Sequence, residues 1–456
     1  MEPVPHEGQP VTSHPLRKMM VDVTPLRTSP AFARLWLSTF LTGLGIQLTI
    51  VAVGLQIYSI THDTIAVALV GGIALVPATL AGPLAGMIAD AFDRRLLLMW
   101  LAVILFASTS GLLILTIVDA RLLAAGQHVW VWPFYVCTTI GAMATIALGA
   151  TRSAIIPRLL PAELVAPASA LSGLSIGLQI MVGPALAGVL AATVGYEWTF
   201  ATDLALSATA FLGIALLPRI PPLHDVVRPG WESFVESIRF LRGAPQISAG
   251  FVADIVAMTF GRPYVLLPAV AAGIIGGGPI TVGLIMSAGA AGTFLTGLFS
   301  GRVRHVRRQG IAIGRSIQIY GAFVILFGVT LLLVQLGLLP AGVENFSGVS
   351  VIALVLACLA YTGMGASDEV SAIFRTAMLL TVVPDSIRGR MQGIFFAVVN
   401  GGPRLGDVYA GLAAGLVALW FPPLLGGFAI IVLMTLILRL TPAFRDYVFS
   451  PRPAES

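Results

Sequence analysis

Four charged residues stand inside two long apolar runs: Asp254 and Arg262 in one, Arg404 and Asp407 in the other. A carboxylate in such a setting can bind and release a proton, and a guanidinium can hold an anionic group or pair with the carboxylate. Each costs roughly 2.5–3.5 kcal/mol at mid-bilayer on insertion scales, so each is expected to face a cavity or a partner. Arg404 and Asp407 are three apart and share one helix face. They form either a structural bridge or a site where Asp407 cycles a proton. Asp254, nearer the end of its run, has the same two readings. Arg262 lies in Gly261-Arg-Pro263, where proline breaks the helix. It either lines a cavity and attracts an anionic substrate group or sits in a buried bridge. Asp368 and Glu369 lie deep in a third run, toward its inner end, where they carry charge or reach interfacial water. The amino-terminal half reads as poor in charge at depth: its first run offers only Gln47 and Gln56. Any coupling carboxylate is therefore expected in the carboxy-terminal half.

These residues need long helices to hold them. Of the 456 residues 57% are hydrophobic and only 10% charged, with mean hydropathy +0.94. A soluble domain carries roughly 25% charged residues, and one membrane span takes about 20 apolar residues. The expected fold is all-α and polytopic, with twelve transmembrane helices at approximately 34–60, 65–91, 95–118, 130–153, 165–193, 198–218, 247–271, 279–301, 312–337, 348–374, 389–416 and 420–439. Lys and Arg fall in alternate gaps between them. Arg34, Arg94, Arg95, Arg152, Arg158, Arg239, Arg302, Arg375 and Arg445 are among one set; Arg121 stands alone in the other, and Arg262 and Arg404 lie inside spans. Positive loops remain cytoplasmic, so a multi-pass protein of the cell (inner, cytoplasmic) membrane with both termini inside is expected. No short apolar leader precedes the first span.

The spans divide into two sets of six. A tail, 1–33, precedes an amino-terminal bundle, 34–218. A cytoplasmic linker, 219–246, places Trp231, Phe234, Val235, Ile238 and Leu241 at helical spacing opposite charges, as an amphipathic surface helix would. A carboxy-terminal bundle, 247–440, and a tail, 441–456, follow. The halves repeat. Arg152-Ser-Ala runs to Pro161 as Arg375-Thr-Ala runs to Pro384, and Gly183-Pro-Ala-Leu-Ala-Gly188 matches Gly406-Asp-Val-Tyr-Ala-Gly411 at one common offset. Parallel six-helix repeats about a central site are a transporter architecture.

The loop Gly86-Met-Ile-Ala-Asp90-Ala-Phe-Asp93-Arg94-Arg95 resembles the first conserved loop of the major facilitator superfamily, Gly-x-x-x-Asp-x-x-Gly-Arg-Arg, with Asp93 where glycine is usual. Thr28-Ser-Pro30-Ala-Phe-Ala-Arg34 and Pro384-Asp-Ser-Ile-Arg-Gly389-Arg-Met-Gln-Gly393 resemble its enterobactin-exporter-like, drug-efflux branch. The resemblance implies a gating role for Gly86, Asp90, Arg94 and Arg95, which would clamp the two bundles on the inner side by a charge-assisted contact at a helix terminus. The alternative is plain anchoring of the loop. Gly183, Pro184 and Gly188 resemble the motif of proton-driven antiporters, against the alternative of ordinary tight packing. The superfamily is usually monomeric.

Function follows as an expectation: a secondary active exporter of small amphipathic organic molecules, drugs and antibiotics first and siderophore-like metabolites second, working by alternating access. Its partners would be that substrate, protons and membrane lipids. No cofactor is expected beyond the proton gradient, because no Gly-x4-Gly-Lys-Ser/Thr loop is present. An importer or symporter, a lipid flippase, and a sensor or scaffold without transport are the alternatives. Enzymatic function is not expected: there is no metal-spaced His/Asp/Glu cluster and no nucleophile elbow. Cys137 and Cys358 lie in separate spans and suggest neither disulfide nor metal. The net charge of +5 is accounted for by loops, so no nucleic-acid partner is needed. The aromatics Phe40, Tyr58, Phe134, Tyr135, Phe260, Tyr264, Phe395 and Phe396 either pack helices or line a cavity suited to large organic molecules.

Overall fold

The computed structural model describes residues 23–91, 93–218, 239–299, 306–343, 346–383 and 385–448. Among them there is no strand, and one isolated bridge joins Arg308 to Val448. After a single turn, Thr24–Thr28, the long helices are α1 Pro30–Thr61, α2 Thr64–Ala91, α3 Arg94–Ala124, α4 Trp132–Leu159, α5 Ala162–Thr193 and α6 Gly195–Ala215. They continue as α7 Pro245–Phe260, α8 Gly278–Leu298, α9 Gln309–Gln335, α10 Val351–Val382, α11 Asp385–Leu416 and α12 Phe421–Leu440. Past a break at Gly261–Arg262, α7 resumes as a 3-10 turn, Pro263–Leu266, and a short helix, Leu267–Gly273. Most of the predicted linker helix, with Trp231, Phe234, Val235 and Ile238, lies outside the described residues, as does Arg302.

Local chemistry sets the ends. Ser29 accepts the Phe32 amide at 3.2 Å and Pro30 occupies the first turn, so α1 starts there rather than at Arg34. It stops at His62, which is left-handed (φ 51°) and donates its amide to the Tyr58 carbonyl. Asp63 then accepts the Ile65 amide at 2.8 Å and opens α2. The chain thus reverses over two residues. The end of the molecule holding this turn is called the turn end below; the end holding Pro30 and Leu440 is the terminal end.

Eleven of the helical segments among the described residues are long and apolar enough to cross a bilayer. Helix α11 matches them in length but falls short in apolarity: Asn400, Gly401, Gly402, Pro403, Arg404 and Asp407 occupy its middle. Large apolar side chains such as Ile50, Val76, Ile114, Leu212 and Phe428 face outward, while Thr42, Thr109, Asp203 and Thr281 are buried. That is the arrangement of a polytopic membrane protein, in which lipid is the outer solvent and polar groups must find partners inside.

The packing order repeats. In the first half α1 packs on α5 and α6, α2 on α4, and α3 on α4 and α6. In the second, α7 packs on α11 and α12, α8 on α10, and α9 on α10 and α12. Adding six to each number in the first set yields the second. Between the halves the main contacts are α5 with α8 and α2 with α11, and these two also exchange under the same operation.

Candidate functional site

The duplicated glycines occupy equivalent places. Gly183 of α5 lies against Gln47 of α1, and Gly406 of α11 lies against the backbone of Met258 and Thr259 on α7. One turn on, Gly188 meets Pro279 and Gly283 of α8, while Gly411 meets Thr64 and Ala68 of α2. A Cβ at Gly188 or Gly411 would overlap the facing helix, so close backbone approach demands glycine at both seams. Pro184 lies within α5, and its carbonyl and Ala185 Cα face Gly283 across the seam. Of the sequence motif, Pro184 and Gly188 are therefore built into a contact between halves, while Gly183 packs on α1 within its own half. Gly188→Leu is expected to cost about 1–3 kcal/mol by overpacking and to lower the melting temperature of the purified protein; an unchanged melt would place the seam elsewhere.

At the start of α3, Asp93 supplies the N-cap. Its Oδ1 accepts the Arg95 amide at 2.8 Å. The departure from glycine noted in the sequence thus has a local cause: aspartate stabilises this terminus through a side-chain acceptor that glycine lacks. Asp93→Ala is expected to destabilise by about 1 kcal/mol, and Asp93→Gly by a few tenths; equal melting of the alanine variant and the parent would refute the cap. Arg94 is buried, at 6% exposure. Arg95 donates to the Ala215 carbonyl at 2.6 Å, at the end of α6 in its own half. Gly86 and Asp90 lie in α2, and their side chains are outside the described residues.

The carboxy-terminal half gathers charge on two levels. Nearer the terminal end, Asp254 of α7 forms an ion pair with Arg375 of α10, and Arg375 reaches Asp368 at 3.4 Å. Asp254 and Arg375 are 2% and 6% exposed, whereas the side chain of Asp368 is 34% exposed. With span ten ending at residue 374, the sequence places Arg375 in a loop. Helix α10 runs to Val382 and carries Arg375 inside. Deeper in the fold, Arg404 and Asp407 lie one turn apart on α11, and Arg262 stands at the break in α7. No ion pair within 4.0 Å joins Arg404 to Asp407 among the described residues, so of the two readings of this pair the structural bridge is not made. Asp407 instead lies against Gly71 of α2, in the opposite half, where a Cβ would touch its carboxylate at 2.5 Å.

The break in α7 is braced by aromatic groups. Tyr320 of α9 donates its hydroxyl to the Gly261 carbonyl at 2.6 Å. The Arg262 guanidinium lies 4.8 Å from the Tyr264 ring centroid, a cation–π distance. Tyr264 packs on Tyr361 at 5.4 Å, and Phe260 packs edge-on to Tyr409 at 5.1 Å. Phe134 and Tyr135 are buried, and Phe40 stacks on Trp36. For these residues helix packing is what the geometry shows. The side chains of Phe395 and Phe396 are outside the described residues.

One expectation is overturned. The amino-terminal half does hold charge-bearing groups at depth: Asp203 of α6 is 1% exposed and Asp119 of α3 is 5% exposed. Asp203 sits within an apolar run with no charged neighbour in sequence. Its partners are Ser207, one turn along α6, and hydroxyls on α1 and α3 that lie far away along the chain, where nothing local marks them.

A family model described as transmembrane secretion effector matches residues 21–447. The enterobactin exporter EntS of Shigella flexneri is 25% identical over 439 residues, covering 95% of this chain and 97% of that protein. Among solved structures, a POT family transporter in complex with a thioalcohol-conjugated peptide superposes with TM-score 0.67 at 13% identity, covering 91% of this chain and 96% of that one. A D-xylose–proton symporter superposes with TM-score 0.66 at 14% identity, covering 91% and 99%.

Proposed function

The chain belongs to the transmembrane secretion effector family of major facilitator transporters, and from that premise we propose that it is a proton-coupled exporter of small amphipathic organic molecules. Two six-helix bundles, each made of six of the helices α1–α12, rock about a shared polar pathway, with both termini on the cytoplasmic side. Drugs or siderophore-like metabolites are the substrates; the likeness to a protein named an enterobactin exporter favours export and the second class.

The observation that carries this reading is the pair of equivalent glycine seams, α5 with α8 and α2 with α11. Their close approaches run from the turn end, at Gly415 beside Ile65, to about mid-helix, at Gly401 beside Thr79 and Gly177 beside Phe294. Two halves that meet along such small-residue faces can part and re-form with little side-chain repacking. The buried charges supply the second element. Asp254 is committed to Arg375, whereas Asp407 has no ion-pair partner among the described residues and touches the opposite half. Asp407 is thus the better carrier of a coupled proton, and Arg262 the better contact for an anionic group on the substrate.

The test is uptake into inverted membrane vesicles energised by a pH gradient, with a lipophilic fluorescent dye and a catecholate siderophore as separate probes. Accumulation of either, collapsed by a protonophore, supports proton-coupled export. Accumulation in right-side-out vesicles instead would make the protein an importer. Protonophore-insensitive movement of labelled phospholipid alone would make it a flippase.

A further inference from the structure

Asp203 sits among three helices with hydroxyl groups as its hydrogen-bond partners. Thr49 of α1 donates to Oδ2 at 2.5 Å, Thr109 of α3 donates to the same oxygen at 3.2 Å, and Ser207, one turn along α6, donates to Oδ1 at 2.9 Å. Gly45 of α1 lies against Oδ1, so bare backbone closes that side. The side chain is 1% exposed.

No cation balances it among the described residues. The helices packed against α6 are α1, α3 and α5. On α1 the charged group is Arg34, at the far end. On α3, Asp119 and Arg121 lie ten and twelve residues from Thr109, about 15 and 18 Å along the axis, and Arg95 and Arg94 lie about 21 and 22 Å the other way. On α5 it is Glu163 at the terminal end, and on α6 itself Glu197 in the first turn.

An ionised carboxylate with only neutral donors is strongly disfavoured in a low-dielectric interior. A carboxylic acid is satisfied there, because each hydroxyl can accept as well as donate. Nor is the cluster isolated from the rest of the molecule. Helix α1 also touches the other half, at Leu267–Gly273 and at α8. Gln47, two residues before Thr49, lies against Gly183, one turn from the α5–α8 seam. A movement of α1 relative to α3 and α6 would withdraw Thr49 from Asp203.

We propose that Asp203 is a proton-binding site of the amino-terminal half, protonated in this conformation and releasing its proton to water when α1 moves away from α3 and α6. The step is a simple dissociation, in which the carboxylic O–H breaks, the electron pair stays on the carboxylate and the proton leaves to solvent. This inference rests on the proton-coupled reading above and adds a site to it.

The test has two arms on the full-length protein in lipid. In the first, infrared spectroscopy follows the carboxylic-acid C=O band through a pH titration. A carboxylic-acid band is expected at neutral pH in the difference spectrum between the parent and Asp203→Asn, which cancels any band contributed by Asp407. In Thr49→Val, which keeps the acid and removes one donor to its charged form, the titration midpoint should rise by about one unit, a tenfold change in proton affinity. In the second arm, pH-driven dye accumulation is measured across external pH, and Asp203→Asn should lose it. Absence of that band from the difference spectrum, or an Asp203→Asn pH profile identical to the parent's, would overturn the proposal and leave Asp203 a structural tie. Absence of pH-driven accumulation in the parent would refute proton coupling, and with it the transport role of Asp203, while the infrared band would still report whether the site holds a proton.

Discussion

Arg375→Ala is expected to destabilise the protein by about 3–5 kcal/mol, because it leaves Asp254 buried without its cation. Asp254 is 2% exposed and its Oδ2 has no hydrogen-bond partner, so there is little room for water to replace the guanidinium. The penalty belongs to the orphaned charge rather than to the bridge. Removing both charges together, as Asp254→Asn with Arg375→Met, should therefore recover most of the lost stability, since a buried pair exchanged for neutral groups of similar volume is often close to neutral. Thermal unfolding of the purified protein in detergent measures both. A single variant as stable as the parent would show that the pair is solvated in the membrane. A double variant no better than the single would show that the α7–α10 contact depends on the ions themselves.

Asp407→Asn is expected to abolish pH-driven transport. The carboxylate lies on Gly71 of the opposite half, with Arg404 one turn back on its own helix. Protonation removes a charge at the point where α11 meets α2. Asparagine mimics the protonated form permanently, so the protein should fold but fail to respond to the gradient. Gly71→Ala should impair transport from the other side of the same contact, because its methyl would press on Asp407. Vesicle assays of pH-driven accumulation decide the matter. If Asp407→Asn and Asp254→Asn both transport at the parental rate, the coupling carboxylate is not in the carboxy-terminal half.

The helices themselves were plain in the sequence, because an apolar run of span length has few other fates, and the paired motifs marked the repeat. What the sequence obscured has specific causes. Arg375 reads as a loop residue because positive charge near a span end ordinarily marks the cytoplasmic boundary; only the partner Asp254, on another helix, reveals that it is inside. Asp203 is hidden for the converse reason: hydroxyls leave no charge pattern, and Thr49 and Thr109 are no different in sequence from other threonines in apolar runs. Arg404 and Asp407 share a helix face as their spacing predicts, yet they do not bridge, and Asp407 lies against Gly71 of the opposite half. Asp93 departs from the family loop, and its reason appears only once the start of α3 is seen to need a cap.

Alternating access is tested most directly by a reversible lock across a seam. A Cβ on Gly72 would lie 3.0 Å from Cγ2 of Val408, close enough for Gly72→Cys and Val408→Cys to form a disulfide once Cys137 and Cys358 are replaced by alanine. If the halves must part at this seam in each cycle, oxidation will stop transport and reduction will restore it. Transport by the cross-linked protein at the reduced rate would contradict a pathway that opens between α2 and α11.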